Sequence, residues 1–197
     1  MRQSSSAFLR SKMMRSEKLQ RYGFKMILVL WGVLFLRSSF VYAESAGEYL
    51  QDGNDAFKRQ ELDQAIYDYT KAIDLDPNLG RAYNNRGVAY AQEGSMERAI
   101  ADFTMAIADN LHDAEAYNNR GQAYVQQGNL PHAIADFTMA IANDAFYIKA
   151  YNNRGIAYFN MKEYDKAWSD VHTVEQIGGT VDPDFIKMLK QATGRDQ

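Results

Sequence analysis

Three nearly identical phrases, AYNNRGVAY from Ala82, AYNNRGQAY from Ala116 and AYNNRGIAY from Ala150, stand 34 residues apart. A fixed period of that length marks a repeat architecture, and it constrains the fold more than any other feature of the chain. With Gly80 as position 1, the copies 80–113, 114–147 and 148–181 align without an insertion. Tyr83, Tyr117 and Tyr151 share position 4; Gly87, Gly121 and Gly155 share position 8; Tyr90, Tyr124 and Tyr158 share position 11. Ala99, Ala133 and Ala167 fall at position 20, and Phe103, Phe137 and Val171 at position 24. A diverged copy over 46–79 keeps Tyr49, Gly53, Ala56, Ala65, Tyr69, Ala72 and Pro77 in register.

Each copy divides into two helical patterns. Positions 4, 8 and 11 lie on one helical face, which predicts a packed stripe of Tyr83, Gly87 and Tyr90 with the small Gly admitting a close neighbour. Positions 20, 24 and 27 predict a second stripe of Ala99, Phe103 and Ala106. Gly94 and Gly128 stand where a first helix should stop, Ser95 and Asn129 where a second should be capped, and Pro131 in a helical first turn. One hairpin cannot bury both stripes, whereas stacked hairpins can, so the expectation is a one-dimensional solenoid. After the last copy, Asp182 as cap and Pro183 at the first helical position open a helix that places Phe185, Met188 and Leu189 on one face. Such an end helix solvates the last repeat.

These residues resemble the tetratricopeptide repeat (TPR) family, whose 34-residue pattern sets an aromatic, Gly, Tyr, Ala, Phe, Ala and Pro at the same positions. The resemblance implies an all-α, right-handed solenoid: hairpins over 46–79, 80–113, 114–147 and 148–181, then a capping helix and tail over 182–197. The chain departs from the pattern at position 7, where Leu is common in the family and Asp52, Arg86, Arg120 and Arg154 stand here. Pro survives at position 32 only as Pro77.

The resemblance further implies that first helices line a concave face into which positions 2, 5, 6, 9 and 13 point. Here that face reads Arg81, Asn84, Asn85, Val88, Gln92, then Glu115, Asn118, Asn119, Gln122, Gln126, then Lys149, Asn152, Asn153, Ile156, Asn160. Six mid-helix asparagines cost about 4 kcal/mol in propensity, so something should offset them. An amide carries an acceptor and two donors and can hold the C=O and N–H of an extended peptide whatever its side chains are. In some superhelical family members an asparagine ladder at position 6 does this, which implies Asn85, Asn119 and Asn153 as the ladder, with Asn84, Asn118, Asn152, Arg81, Gln122 and Lys149 beside it. The family's clamp for acidic C-terminal tails is incomplete, since Asn54 matches one member while Leu50 and Asn153 stand at paired Lys and Arg positions. Recent duplication is the plain alternative: copies 80–113 and 114–147 agree even through the second-helix phrase AIADFTMAIA, and the position 5 asparagines then merely bond between helices.

Asp68, Asp102, Asp136 and Asp170 occupy position 23 of every copy. Pairing within copy one would join Asp68 to Asp52, a like charge. The expectation is therefore a forward pairing across repeats, Asp68 with Arg86, Asp102 with Arg120 and Asp136 with Arg154, leaving Asp170 over.

Charge and composition set the remaining limits. Residues 1–43 carry eight basic residues against Glu17, so the overall charge of -3 conceals an acidic body that would repel nucleic-acid phosphates. Basic residues, the uncharged run MILVLWGVLFL over 26–36, and Val41 and Ala43 before Glu44 fit an export signal cut between Ala43 and Glu44. Translation from Met13 or Met14, or an uncleaved anchor over 26–43, are the alternatives; in each the body crosses the membrane. The expected location is periplasmic or secreted, resembling periplasmic TPR adaptors.

Cysteine is absent, which removes thiolate and disulfide chemistry. His112, His132 and His172 occupy different repeat positions and predict no metal shell, and no nucleophile elbow or phosphate loop is present. No cofactor is expected. The expected function is a non-enzymatic protein–protein scaffold holding an extended segment in its Asn-rich groove; the alternative is an accessory subunit of an envelope complex docking by its convex face or end helix.

Overall fold

The structure, a computed structural model, describes residues 46–194, so the export-signal expectation for 1–43 lies outside the described residues. Those residues form nine helices and no strand. They are α1 (46–58), α2 (Leu62–Leu75), α3 (Gly80–Glu93), α4 (Met96–Asp109), α5 (Ala114–Gln126), α6 (Leu130–Asn143), α7 (Ile148–Asn160), α8 (Tyr164–Gln176) and α9 (Pro183–Thr193). The fold is all-α. Helices α3, α5 and α7 each begin at position 1 of the 34-residue frame, and every second helix packs against the first helix of the next copy.

Each hairpin turns through a left-handed residue at position 15: Gln60 (φ 66°), Gly94 (88°), Gly128 (75°) and Lys162 (61°). The geometry closes with the next N–H reaching back over five residues, as Ser95 to the Tyr90 carbonyl (2.8 Å) and Glu163 to Tyr158 (2.9 Å). Gly94 and Gly128 adopt this without strain; Gln60 and Lys162 do not. Asn129 accepts from the His132 N–H at 3.4 Å and Asp182 from Asp184 at 2.9 Å, as the sequence predicts. Ser95 differs: its hydroxyl turns to Glu93 instead of capping α4. The sequence reading also missed a cap, Asp113, which accepts from the Ala116 N–H at 3.0 Å.

The core departs from the predicted stripe in one respect. In the first helices the most buried side chains are alanines at positions 3 and 10: Ala82, Ala89, Ala116, Ala123, Ala150 and Ala157. The position 11 tyrosines are only half-buried, because a ring so large at the edge of two contacting helices keeps its hydroxyl end in water. In the second helices Ala99, Phe103 and Ala106, with their counterparts, are buried as predicted. Position 8 shows why Gly recurs. A Cβ on Gly87 would stand 2.7 Å from the Phe103 ring, and one on Gly121 2.6 Å from Phe137. At Gly155, in the copy whose position 24 is Val171, the nearest atom would be the Asp170 Cβ, 3.5 Å away. The last hairpin is sealed by α9, whose Phe185 and Leu189 pack on Ala167, Trp168 and Val171.

The forward pairing of acids and arginines is overturned. Arg86 binds Asp102 of its own copy through Nε (2.7 Å) and Nη2 (2.9 Å), Arg120 binds Asp136, and Arg154 binds Asp170, each bidentately. Positions 7 and 23 face each other across one hairpin because its two helices run antiparallel from the same turn. The contact between copies is made by the third nitrogen: Nη1 of Arg86, Arg120 and Arg154 donates to Thr70, Thr104 and Thr138 of the preceding copy at 2.9–3.0 Å. Each of those hydroxyls donates in turn to the carbonyl four residues back. Tyrosines at positions 4 and 11 flank the guanidinium, with Arg154 Cζ 5.6 Å from the Tyr151 ring and 5.9 Å from Tyr158. Burial pushes the Asp170 carboxyl up, and Arg154 only partly offsets this. The acid left without an arginine is Asp68, buried and held by the Gln64 amide at 3.0 Å.

Candidate functional site: an amide-lined concavity

Two adjoining concavities open across the first helices α1, α3 and α5. The larger, about 750 Å³, is walled by residues including Leu50, Asn54, Arg81, Asn84, Asn85 and Glu115; the smaller, about 320 Å³, shares Asn54, Asn84, Asn85 and Glu115 and adds Phe57, Tyr69 and Val88. Helical periodicity places these side chains together: positions 2, 5, 6 and 9 fall on one face of a helix whose opposite face is committed to the core. The predicted Arg81, Asn84 and Asn85 are thus brought into one site with Glu115. Gln122 and Lys149 are exposed on α5 and α7.

The asparagines form a chain of bonds from copy to copy. Asn85 Nδ2 donates to Asn54 Oδ1 at 2.8 Å, Asn119 Nδ2 to Asn84 Oδ1 at 3.1 Å, and Asn153 Nδ2 to Asn118 Oδ1 at 2.8 Å. The Tyr69 hydroxyl also donates to Asn54, at 3.0 Å. Burial, and secondarily the Asp68 charge, pushes the Tyr69 phenol up to about 12, so it remains a donor at neutral pH. Asn152 Nδ2 reaches the Thr180 carbonyl at 3.2 Å.

The two asparagine positions therefore differ. Asn84 and Asn118 are 8% and 2% exposed and accept bonds from the next copy, the inter-helix role that duplication implies for position 5, while Asn84 also walls both concavities. A side chain one step nearer the neighbouring first helix is covered by it. Asn85, Asn119 and Asn153 are half-buried, each with one N–H committed to the preceding copy and no partner for Oδ1 within the described residues. Among the described residues no buried side-chain polar atom lacks a partner, so the unbonded amide atoms reach solvent. Asn54, the first link of the chain, was legible only as a fragment of an incomplete clamp; Asp109 at the end of α4 and Asp113 at the cap of α5, which also wall the larger concavity, were not singled out at all.

Among the described residues no group of three metal-ligating side chains converges. Arg81, Glu115 and Lys149 form no ion pair within the described residues.

Models of the TPR repeat match residues 53–94 and 89–128, and models of the tetratricopeptide repeat match 114–145 and 148–167. The chain is 45% identical over 49 residues to Hsp70-Hsp90 organizing protein 1 of Arabidopsis thaliana, a match covering 25% of this chain and 9% of that protein. The matched segment thus spans about a tenth of that relative. Among solved structures, MamA superposes with a TM-score of 0.68 at 26% identity, over 77% of this chain and 84% of that one. The first TPR of Spaghetti (RPAP3), bound to the HSP90 peptide SRMEEVD, superposes with a TM-score of 0.59 at 28% identity, over 60% of this chain and 94% of that one. Repeat matches running through four successive hairpins and more than half of the residues show that this chain belongs to the tetratricopeptide repeat family.

Proposed function

We propose that this protein is an exported, non-enzymatic scaffold that holds an extended segment of a partner protein in its amide-lined concavity. The observation that carries the reading is the division of labour among the asparagines. The N–H given to the preceding copy orients each position 6 amide and leaves its Oδ1 for a ligand N–H. The acceptor bond on Asn84, which walls both concavities, leaves its Nδ2 for a ligand C=O, whereas the sealed Asn118 serves to orient Asn153. Amides already oriented lose little freedom when a peptide arrives, which favours binding. The RPAP3 repeat domain with its HSP90 peptide supports peptide capture on this fold. The chemistry here points to another peptide, because the larger concavity sets Leu50, Asn54 and Glu115 beside the single arginine Arg81 and so presents no cationic cluster to an acidic tail.

Pull-down of partners from an envelope extract with the full chain and with the Asn85→Ala, Asn119→Ala, Asn153→Ala triple variant tests the site. Loss of capture with folding retained supports it, and unchanged capture refutes it. N-terminal sequencing of the fractionated protein tests export: a start at Glu44 supports cleavage, and a cytoplasmic, uncut chain refutes it. The second reading, docking away from the amide groove, is favoured by one observation: Leu111 and Phe146 are 63% and 75% exposed in the loops after α4 and α6, and Met105 and Met139 are exposed on those helices. Capture lost on Phe146→Ser and Leu111→Ser, with the triple variant unaffected, selects that reading.

A further inference from the structure

The same face that carries the amides carries one charge in each of the last three copies, at position 2: Arg81 on α3, Glu115 on α5 and Lys149 on α7; the first copy has Gly47 there. All three are exposed, and none forms an ion pair within the described residues, in contrast to the arginines at position 7. Arg81 and Glu115 wall one concavity, where Asp109, Asp113 and His112 also stand. Asp113 spends one carboxylate oxygen on the α5 cap. Its charge, two residues before Glu115, deepens the negative potential there, whereas Asp109 lies against Gly80 beside Arg81; Arg81 and Lys149 hold the same repeat position in the copies on either side. Along the groove the order is therefore positive, negative, positive.

Helix spacing converts this order into a ligand register. First helices of adjacent copies meet directly, α3 with α5 and α5 with α7. Packed helices lie roughly 8–10 Å apart. An extended chain advances about 3.3 Å per residue, and a polyproline-type chain about 3.1 Å. About three ligand residues thus pass each copy. Resting on the groove reading above, we infer that the bound segment carries an acidic residue, a basic residue three positions on and a second acidic residue three positions further, facing Arg81, Glu115 and Lys149 in turn. The pattern is the same in both chain directions, so it holds whichever way the segment runs. The amides bind main chain and tolerate any sequence; the position 2 charges supply the selectivity that they lack.

The test uses the full chain and two labelled eleven-residue peptides, followed by fluorescence anisotropy. One has glutamate, lysine and glutamate at its third, sixth and ninth positions among Gly, Ala and Ser. The other has the three charges inverted. The matched peptide should bind about tenfold more tightly at low salt, with the gap closing toward 1 M salt. Glu115→Lys should weaken the matched peptide several-fold and strengthen a third peptide whose central lysine is replaced by glutamate. Equal affinities for the first two peptides, or binding by neither, overturn the register. The parent reading fails separately. If the triple asparagine variant abolishes binding of two equally bound peptides, the amide groove stands and the register falls. If that variant binds the matched peptide normally while Glu115→Lys does not, the charges act without the amides and the main-chain reading falls.

Discussion

At the scale of single residues, the same amino acid does different work in different copies, and substitutions should separate the roles. Gly87 and Gly121 are held by the rings of Phe103 and Phe137, whereas Gly155, with no atom closer than 3.5 Å to an added Cβ, has room for a methyl group. Gly155→Ala should therefore stabilise the protein by up to about 1 kcal/mol, the cost of Gly in a helix interior, while Gly87→Ala should destabilise it by about 1–3 kcal/mol through overpacking. Urea denaturation of the two variants checks the opposite signs. The asparagines divide in a similar way. Asn118→Ala removes a buried acceptor and should cost about 1–2 kcal/mol; Asn119→Ala trades one half-buried bond for about 0.6 kcal/mol of helix propensity and should lie within about 1 kcal/mol of the parent by thermal unfolding. In the sequence Asn118 and Asn119 are indistinguishable neighbours. Which of them is sealed depends on where the next helix crosses, and a 34-residue period does not encode that angle.

The elements show how far pattern reading carries. Every hairpin boundary follows from position 15, but only two copies place glycine there. Gln60 and Lys162 pay for a left-handed conformation that glycine adopts freely, so Lys162→Gly should raise stability by about 1 kcal/mol, measured as a shift in the denaturation midpoint at unchanged slope. The arginine staples were legible as residues and misread as partners. The like-charge argument at copy one was sound for Asp52 and Asp68 and wrong for the other three copies, because copy one uses Gln64 instead. A double-mutant cycle should give strong coupling between Arg120 and Asp136 and near-additivity between Asp102 and Arg120. Arg120→Ala alone should cost about 3–5 kcal/mol, since it strands a buried carboxylate; replacing Arg120 with Leu and Asp136 with Ala together should cost less.

Across the whole array, stability is carried by neighbours. Each copy touches the next through the second-helix/first-helix interface, the guanidinium–threonine bond and the amide bond, so damage at one end should propagate only one copy at a time. Leu189→Ala, which opens the fully buried seat of α9 against α8, should cost about 2–5 kcal/mol and lower hydrogen-exchange protection in α8 and α9 before α3 and α4. Uniform loss of protection across all helices would contradict this linear description. Period, hairpin count, the buried Ala and Phe positions of the second helices and the polar face of the first helices were all determined by sequence alone, because each rests on local geometry that recurs every 3.6 or 34 residues. Only the tertiary structure decided which acid each arginine meets, that Asn84 and Asn118 are sealed while their neighbours are not, and that Gly155 has space its counterparts lack. Those outcomes depend on distances between chain segments 16 to 35 residues apart, set by how whole helices cross and not by the order of residues within any of them.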